Sequence, residues 1–592
     1  MKKEARFLIT TALETTWVYD RPVLFLGDWC QLYSRRSKWM DMDGVVLPYH
    51  WSDREKLQHD YQYLAQLYER LLPILAQKLN ELHSVKHDLR YWRILVGPWL
   101  LRITHILFDR WETIQQALRL YEITGTSVLS SSPADFIPLD MLDFVKLFQE
   151  DAWNHHIFSE ILTSCGRSSL IIQQSDFALA QTEVNYPDPV AKSFMHEIFE
   201  RVVKNSFKGD KFFFRDTYLR SVSLVRLSVS FFQIPKRKIT FRVPSAAPNL
   251  SLRNWQLRAS PEKNFENLLL TVIPKQIPTL YLEGYSDLVE KINALPWPKQ
   301  PRLIFTSNAL WFDELVKAYA AQKIEDGSVL VYGQHGGGYG TAKLNVDEEH
   351  EVCIADRYLS MGWVNKQNPK IIPMGHFRFS KIWPRPFNKK NDLLLVTLDA
   401  SRYSFRGCTE SALNIKNYLK DAFLFVDSLS AVVQRSVVVR LAQTEKGWFH
   451  ATRWRDRFPK IIIENGSQDI YRLMKNSRMV ISTYNQTTIL ETLAFNIPSV
   501  LFCDLQQTPL RDTAVPFYAK LKQVGIFHDT PESAAEHINK VWNNVDSWWF
   551  SETVQAVVKE FTHQYCRRVS SVVPKIRTVF KDAIRKQHSI AA

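Results

Sequence analysis

Val480-Ile481-Ser482-Thr483-Tyr484-Asn485-Gln486-Thr487-Thr488-Ile489-Leu490-Glu491-Thr492-Leu493-Ala494-Phe495-Asn496-Ile497-Pro498-Ser499-Val500 reads as strand, loop, helix and strand in immediate succession. The apolar run Met479 to Ser482 ends in hydroxyl and amide side chains. Apolar residues then recur at helical spacing from Thr487 to Phe495, and Ile497-Pro498 leads into a second apolar run, Ser499 to Phe502. Two strands joined through a helix pair in parallel. On the amino side the alternation continues, with expected strands at Leu393 to Thr397, Val437 to Leu441 and Lys460 to Glu464. Helices are expected at about 410 to 434, 468 to 476, 487 to 495 and 531 to 545. Five strands interleaved with helices spell a doubly wound sheet.

The amino half carries a second α/β pattern. Phe7-Leu8-Ile9-Thr10 and Val23-Leu24-Phe25-Leu26 are short apolar runs that feed polar loops. A helix is expected from Ser52, with Glu55 completing a capping box, through Leu82. The following stretch reads as mostly helical, including a buried helix over Tyr91 to Phe108. Further strands are expected at Thr279 to Leu282, Leu303 to Phe305 and Val329 to Tyr332, with a helix at about 311 to 323. The expected division is an acceptor domain over 1–365 with a helical insertion at about 52–275, and a Pro-bearing hinge at 366–390. A nucleotide-sugar domain over 391–550 and closing helices at 551–592 complete it. Two Rossmann-like domains of this kind form the GT-B layout, with ligands at the carboxyl ends of the strands.

The chain has 592 residues, of which 45% are apolar and 23% charged, so it is a folded globular protein and not a disordered or fibrous one. Lys and Arg total 75 against 61 acids, a net charge of +14 that favours anionic partners. Nucleic acid is the weakest of these, because no helix-turn-helix, zinc or RNA-recognition signature accompanies the charge. The six cysteines are scattered singly, which argues for reduced thiols and a cytoplasmic setting. His155 and His156 adjoin on an expected helix and point in different directions, so they do not form a metal pair; no D-x-D motif stands at a strand end either, and no metal or other cofactor is expected.

Two segments carry the chemistry. Tyr332-Gly333-Gln334-His335-Gly336-Gly337-Gly338-Tyr339-Gly340 follows an expected strand, and its glycines let backbone N–H groups approach an anion. Gln334, His335, Gly336, Gly337 and Gly338 are therefore candidate phosphate contacts. The second segment offers Ser482, Gln486, Thr487 and Thr488 at a strand end and helix start, where the helix dipole favours a phosphate, with Glu491 one turn inside, in reach of ribose hydroxyls or acting only as a cap. Arg440 at a strand end and Arg378 beside His376 are candidate diphosphate or sugar-carboxylate partners.

The helix reading Leu-Glu-x-x-Ala-x-x-x-Pro resembles the nucleotide-sugar signature of many GT-B transferases, although Thr483 stands where retaining enzymes carry their first glutamate. Phe7 to Trp17, Pro48-Tyr49-His50-Trp51, Tyr91 to Trp99 and the Gln-His-Gly loop resemble, over nearly the whole chain, a family of transferases from bacterial O-antigen and surface-polysaccharide gene clusters. The Gln-His-Gly loop is also similar to one in capsule transferases that use CMP-activated ulosonic acids and in CDP-glycerol phosphotransferases. These resemblances imply a CMP-linked sugar as donor and a lipid-linked or glycan acceptor at the inner membrane face. For the general base of an inverting, metal-independent transfer, Glu14, in the loop after the first strand, is the first candidate, because ulosonic-acid transferases of this layout carry an acid there. His335 is the competitor, and helix capping is the alternative role of Glu14. The basic, aromatic stretch Lys204 to Arg242 and the stripe Ile576, Val579, Phe580, Ala583 and Ile584 are candidate contacts with an anionic bilayer.

Overall fold

Each end of the chain builds an all-parallel sheet in which strand order reverses about the first strand. The computed structural model describes residues 3–130, 132–166, 170–174, 211–233, 241–257, 264–378, 392–407 and 415–591. The chain divides into two compact units, one of residues 1–216, 233–330 and 401–407, the other of residues 217–232, 331–400 and 408–592.

In the first unit, β1 (Ala5–Ile9), β2 (Val23–Phe25), β3 (Gly44–Val46), β4 (Glu122–Ser130) and β5 (Leu170–Gln174) form a sheet in the order β3-β2-β1-β4-β5. Between β3 and β4 run α1 (Arg54–His83), α2 (Leu89–Leu95) and α3 (Gly97–Leu120); α4 (Asp151–Ser164) precedes β5. The expected capping box gives way to Asp53, whose carboxylate accepts the N–H groups of Glu55 and Lys56, both at 3.0 Å. The span expected as one buried helix over Tyr91 to Phe108 is two, parted at Val96-Gly97-Pro98. Its polar side chains find partners: Arg93 pairs with the exposed Glu69 at 2.6 Å, and His105 Nδ1 accepts the Gly407 N–H at 2.9 Å. The helical insertion expected at about 52–275 is a correction. β4 and β5 fall inside it and belong to the sheet, β4 pairing with β1.

The chain continues through β6 (Phe212–Arg215), α5 (Ser221–Ser230, part of the second unit), β7 (Leu303–Thr306), α6 (Glu314–Glu325) and β8 (Val329–Gly333), and passes from the first unit to the second within β8. β6 and β7 pair in parallel. Thr279 to Leu282, expected as a strand, forms a 3-10 turn at Thr279–Tyr281. Its reason is tertiary: the Tyr281 hydroxyl donates to Glu314 at 2.7 Å and accepts from Lys317, a trio buried in the first unit. A short apolar run by itself does not separate a strand from a buried turn.

In the second unit β8 pairs with β9 (Arg357–Ser360), and β9 with β10 (Ile371–Pro373), all parallel. α7 (Val346–Ile354) lies between β8 and β9. The carboxyl-terminal sheet joins β11 (Leu393–Val396), β12 (Val437–Arg440), β13 (Ile462–Glu464), β14 (Met479–Ser482), β15 (Ser499–Phe502) and β16 (Phe527–His528) in the order β13-β12-β11-β14-β15-β16. Its helices include α8 (Ile415–Asp427), α9 (His450–Arg457), α10 (Ile470–Asn476), α11 (Thr487–Phe495) and α12 (Pro531–Val541); α13 (Glu552–Tyr565) and α14 (Val572–Ala591) follow. Leu393, Leu395, Val437, Val439, Met479 and Ile481 are buried on this sheet against Phe425, Trp454 and Ile538. The protein is thus α/β, with a parallel, Rossmann-like sheet towards each end of the chain as expected; a third sheet, of β6 to β10, lies between them in sequence and was not expected as separate from the first. The topological switch of the second lies between β11 and β14, where doubly wound sheets bind ligands. Of the expected hinge, 379–390 lies outside the described residues.

Candidate functional site

The glycine loop leaves the carboxyl end of β8, and the loop 483–486 leaves the carboxyl end of β14. In the second unit they meet. The Gly337 N–H donates to Thr487 Oγ1 at 2.9 Å. A Cβ on Gly337 would lie 2.3 Å from Thr487 N and 2.4 Å from the Gln486 carbonyl carbon, both backbone atoms, so only glycine lets the loop rest on the first turn of α11. His335, Gly336, Gly337, Tyr484, Asn485, Gln486 and Thr487 are all half-buried, whereas the residues on either side of both segments are buried. The two segments therefore make one solvent-facing surface. Backbone N–H groups of the loop and the opening turn of α11 suit it to an anion.

Behind the loop stands α7, with Glu348 and Glu351 three residues apart on one face. Glu348 accepts the Gly340 N–H at 2.7 Å and pairs with Arg511, also at 2.7 Å. Glu351 is buried, accepts the Tyr339 hydroxyl at 2.9 Å and lies 3.6 Å from His335 Nδ1. His335 also meets Tyr339 edge-on and Tyr218 at a tilt, with centroids 5.4 Å and 5.9 Å away. At 3.6 Å His335 Nδ1 and the Glu351 carboxylate are in ion-pair range but outside hydrogen-bond geometry.

At the carboxyl ends of β11, β12 and β13 there is a second recess, of about 140 Å³, lined by Asp399, Gln443, Thr444, Glu445, His450 and Asn465 among others. Asp399 Oδ1 and His450 Nε2 are 3.3 Å apart with side chains only 5% and 4% exposed. Neither side chain makes a hydrogen bond of good geometry among the described residues. Glu445 accepts the N–H groups of Trp448, Phe449 and His450, which sets the start of α9. Nearby, the Tyr418 hydroxyl accepts the Leu398 N–H and bonds Thr483 Oγ1, both at 2.6 Å, and Thr483 Oγ1 donates to Val396 O at 3.0 Å. Thr483 thus ties the loop after β14 to β11.

Residues 6–580 match the family model of the LIC12162 family transferases. The chain belongs to this family. The sequence matches no curated protein. Among solved structures it is similar to the wall teichoic acid polymerase TagF (10% identity, TM-score 0.30, covering 65% of this chain and 91% of that one). It is also similar to WaaG, a glycosyltransferase involved in lipopolysaccharide biosynthesis (10%, 0.28, 50% and 95%), and to the spinosyn rhamnosyltransferase SpnG (10%, 0.29, 76% and 99%).

In this LIC12162 family chain several expected ligand contacts are turned inward. Gln334 is buried; its Oε1 accepts the Met361 N–H and the Trp363 indole at 2.9 Å and 2.8 Å, and its Nε2 donates to Gly336 O at 2.9 Å. It holds the loop. Arg440 pairs with Glu464 at 2.5 Å and donates to the carbonyls of Leu441, Gly466 and Gln468. Ser482 is fully buried in β14. Glu491 is on the buried side of α11, accepts the Tyr471 hydroxyl at 2.9 Å, and its carboxyl is pushed by burial up to about 7, against the opposing pull of Tyr471 and Arg378. Thr488 is buried too, 3.4 Å from the Tyr484 hydroxyl. Gly336, Gly337, Gln486, Thr487 and His335 remain at the loop surface; Gly338 is buried, with φ +82°.

Glu14 belongs to the first unit, where it opens a 3-10 turn, Glu14–Thr16, without any side-chain cap. Arg35 grips it through two bonds of 2.5 Å and 2.6 Å, and that hydrogen bonding holds the carboxyl below its ordinary range. His155 and His156 diverge as expected: one bonds Thr10 Oγ1 at 3.0 Å, the other stacks on Phe136. Asp399 and His450 were not legible as a pair, since one follows a strand and the other opens a helix with no motif between them. Their shared signal is that each follows one of two adjacent strands, Asp399 three residues after β11 and His450 ten after β12.

Proposed function

We propose that the chain is a glycosyltransferase that moves an ulosonic or related acidic sugar from a CMP donor onto a surface-polysaccharide precursor held at the inner face of the bacterial membrane. The observation that carries this reading is the seating of the Gln-His-Gly loop on the first turn of α11. The donor phosphate rests against these N–H groups, with Thr487 and Gln486 at its edge. His335, backed by Glu351, takes the proton from the acceptor hydroxyl. The acceptor oxygen attacks the anomeric carbon from the face opposite the nucleotide, and the carbon–oxygen bond to the phosphate breaks. CMP leaves with the bonding pair, its charge stabilised by the loop and the helix dipole. Glu14, spent on Arg35, is not the base in this reading. The Asp399–His450 recess, at the sheet end where doubly wound folds hold nucleotides, takes the nucleoside.

The same Gln-His-Gly loop also favours a second reading, a CDP-polyol phosphotransferase, in which the acceptor attacks phosphorus and the product gains phosphate. A thermal-shift screen across CMP, CDP, UDP, GDP and dTDP tests both. A cytidine nucleotide at 100 times its dissociation constant is expected to stabilise the fold by about 2.7 kcal/mol. Equal shifts from every base, or none, would sink the cytidine assignment, and phosphate content of the product separates the two reactions.

A further inference from the structure

In the second unit α5 packs along α14. Phe231, just past α5, stacks on Phe580 with centroids 6.0 Å apart, and the Arg577 guanidinium lies 5.9 Å from the Phe231 ring centroid. This packing absorbs much of the α14 stripe that the sequence offered to a bilayer: Ile576, Phe580 and Ala583 are buried. α5 differs. Val222, Val225 and Val229 are 60%, 45% and 57% exposed, and Phe232 beyond the helix end is 97% exposed. The three valines stand at i, i+3 and i+7, one face of a helix that contains no acidic residue. Single exposed apolar residues are ordinary, but a row of them marks a surface with an intended partner.

At the amino end of this ridge opens a cleft of about 430 Å³. Arg220, Arg226 and Arg378 line it, together with Ser570, Ser571 and the first residues of the 20-residue helix α14; among the described residues no acidic side chain does. Arg378 lies over the Tyr218 ring, 4.8 Å from its centroid. Guanidinium groups, hydroxyls and a helix amino end all favour the oxygens of a phosphate. Val222 lines the same cleft, so the charge-selective recess and the apolar ridge are one continuous surface.

We propose that the α5 ridge inserts into an anionic bilayer surface while the arginine cleft holds the phosphate of a membrane lipid. An apolar helix face flanked by cations is the chemistry of interfacial anchoring, in which apolar burial and attraction to anionic headgroups add. The proposal deepens the membrane part of the reading above, and its test needs no transferase activity, so either can fail alone.

The test is co-sedimentation of the full chain with phosphatidylcholine vesicles, with or without phosphatidylglycerol. Binding is expected only with phosphatidylglycerol and is expected to weaken with salt. Replacing Arg220 and Arg226 by Ala together should weaken it about 30-fold, and Val225→Asp with Val229→Asp should remove it. Arg455→Ala with Arg472→Ala, an equal charge loss on α9 and α10, should leave it unchanged. All the replaced residues are exposed, and unchanged melting temperatures show that each variant is folded. Four results overturn the proposal: equal binding to both vesicle types, no vesicle binding while inorganic phosphate binds, cleft variants as tight as wild type, or a control pair that loses as much.

Discussion

Glu14 and His335, the two candidates for a general base, are held in opposite ways. A carboxylate gripped through both oxygens by Arg35 is stabilised in its charged form and accepts a proton poorly. An imidazole 3.6 Å from a buried carboxylate has a negative charge at hand to stabilise the imidazolium that forms when it takes up a proton. Glu14→Gln should therefore retain turnover within a few-fold of wild type, while His335→Asn should lower it about 100- to 10,000-fold with nucleotide affinity preserved. Steady-state rates beside equilibrium binding check this, and the reverse pattern would return the base to Glu14. Glu491 supplies a pH prediction. Its carboxyl is raised to about 7 from 4.5, so between those values the folded protein holds a proton that the unfolded chain releases. Its stabilising contribution is complete below about pH 4.5 and is lost as the pH rises through 7. From about pH 5 to about pH 8 the wild type should lose up to about 3 kcal/mol more than Glu491→Gln. Urea unfolding at both pH values measures it, and parallel losses would show that the buried carboxyl is not the titrating group.

At the scale of elements, the joint between the β8 loop and α11 depends on one missing side chain. A Cβ at Gly337 meets backbone, which has no rotamer to yield, so Gly337→Ala should lift the loop at a cost of about 1–3 kcal/mol and weaken nucleotide binding at least about tenfold. Gly336→Ala is the steric control, because its nearest neighbour is 3.8 Å away, and it should leave the melting temperature near wild type. Equal destabilisation by both would refute close packing as the reason for the glycine. The segment from β14 to β15 was legible because strand, helix start and Pro-marked return all lie within one short stretch. β4 was not: Glu122-Ile123-Thr124-Gly125-Thr126-Ser127-Val128 lacks the apolar run of a buried strand, and it is one because β1 and β5 flank it. The turn at Thr279–Tyr281 is the converse, an apolar run whose buried Tyr281 hydroxyl is tied to Glu314 and Lys317.

At the scale of the whole molecule, the D-x-D of the sequence, Asp41-Met42-Asp43, stands before β3 and not at the carboxyl end of a strand, which predicts that turnover persists in EDTA, measured as sugar transfer with and without added magnesium; loss in chelator and rescue by the metal would overturn it. Among the described residues no helix is long and apolar enough to cross a membrane. Sequence alone determined the α/β class, most strands of the carboxyl-terminal sheet, and each of the two loops that follow a strand, though not that they meet. Those features follow from periodicity and turn chemistry within a few neighbouring residues. Only tertiary structure decided which polar side chains were left for a ligand. Gln334 is committed to Met361 and Trp363, Arg440 to Glu464, Glu491 to Tyr471, Glu14 to Arg35, and Asp399 is brought to His450. A buried polar group takes whichever partner the packing brings within hydrogen-bond reach, and a partner 20 or more residues away leaves no trace in the local pattern of the chain.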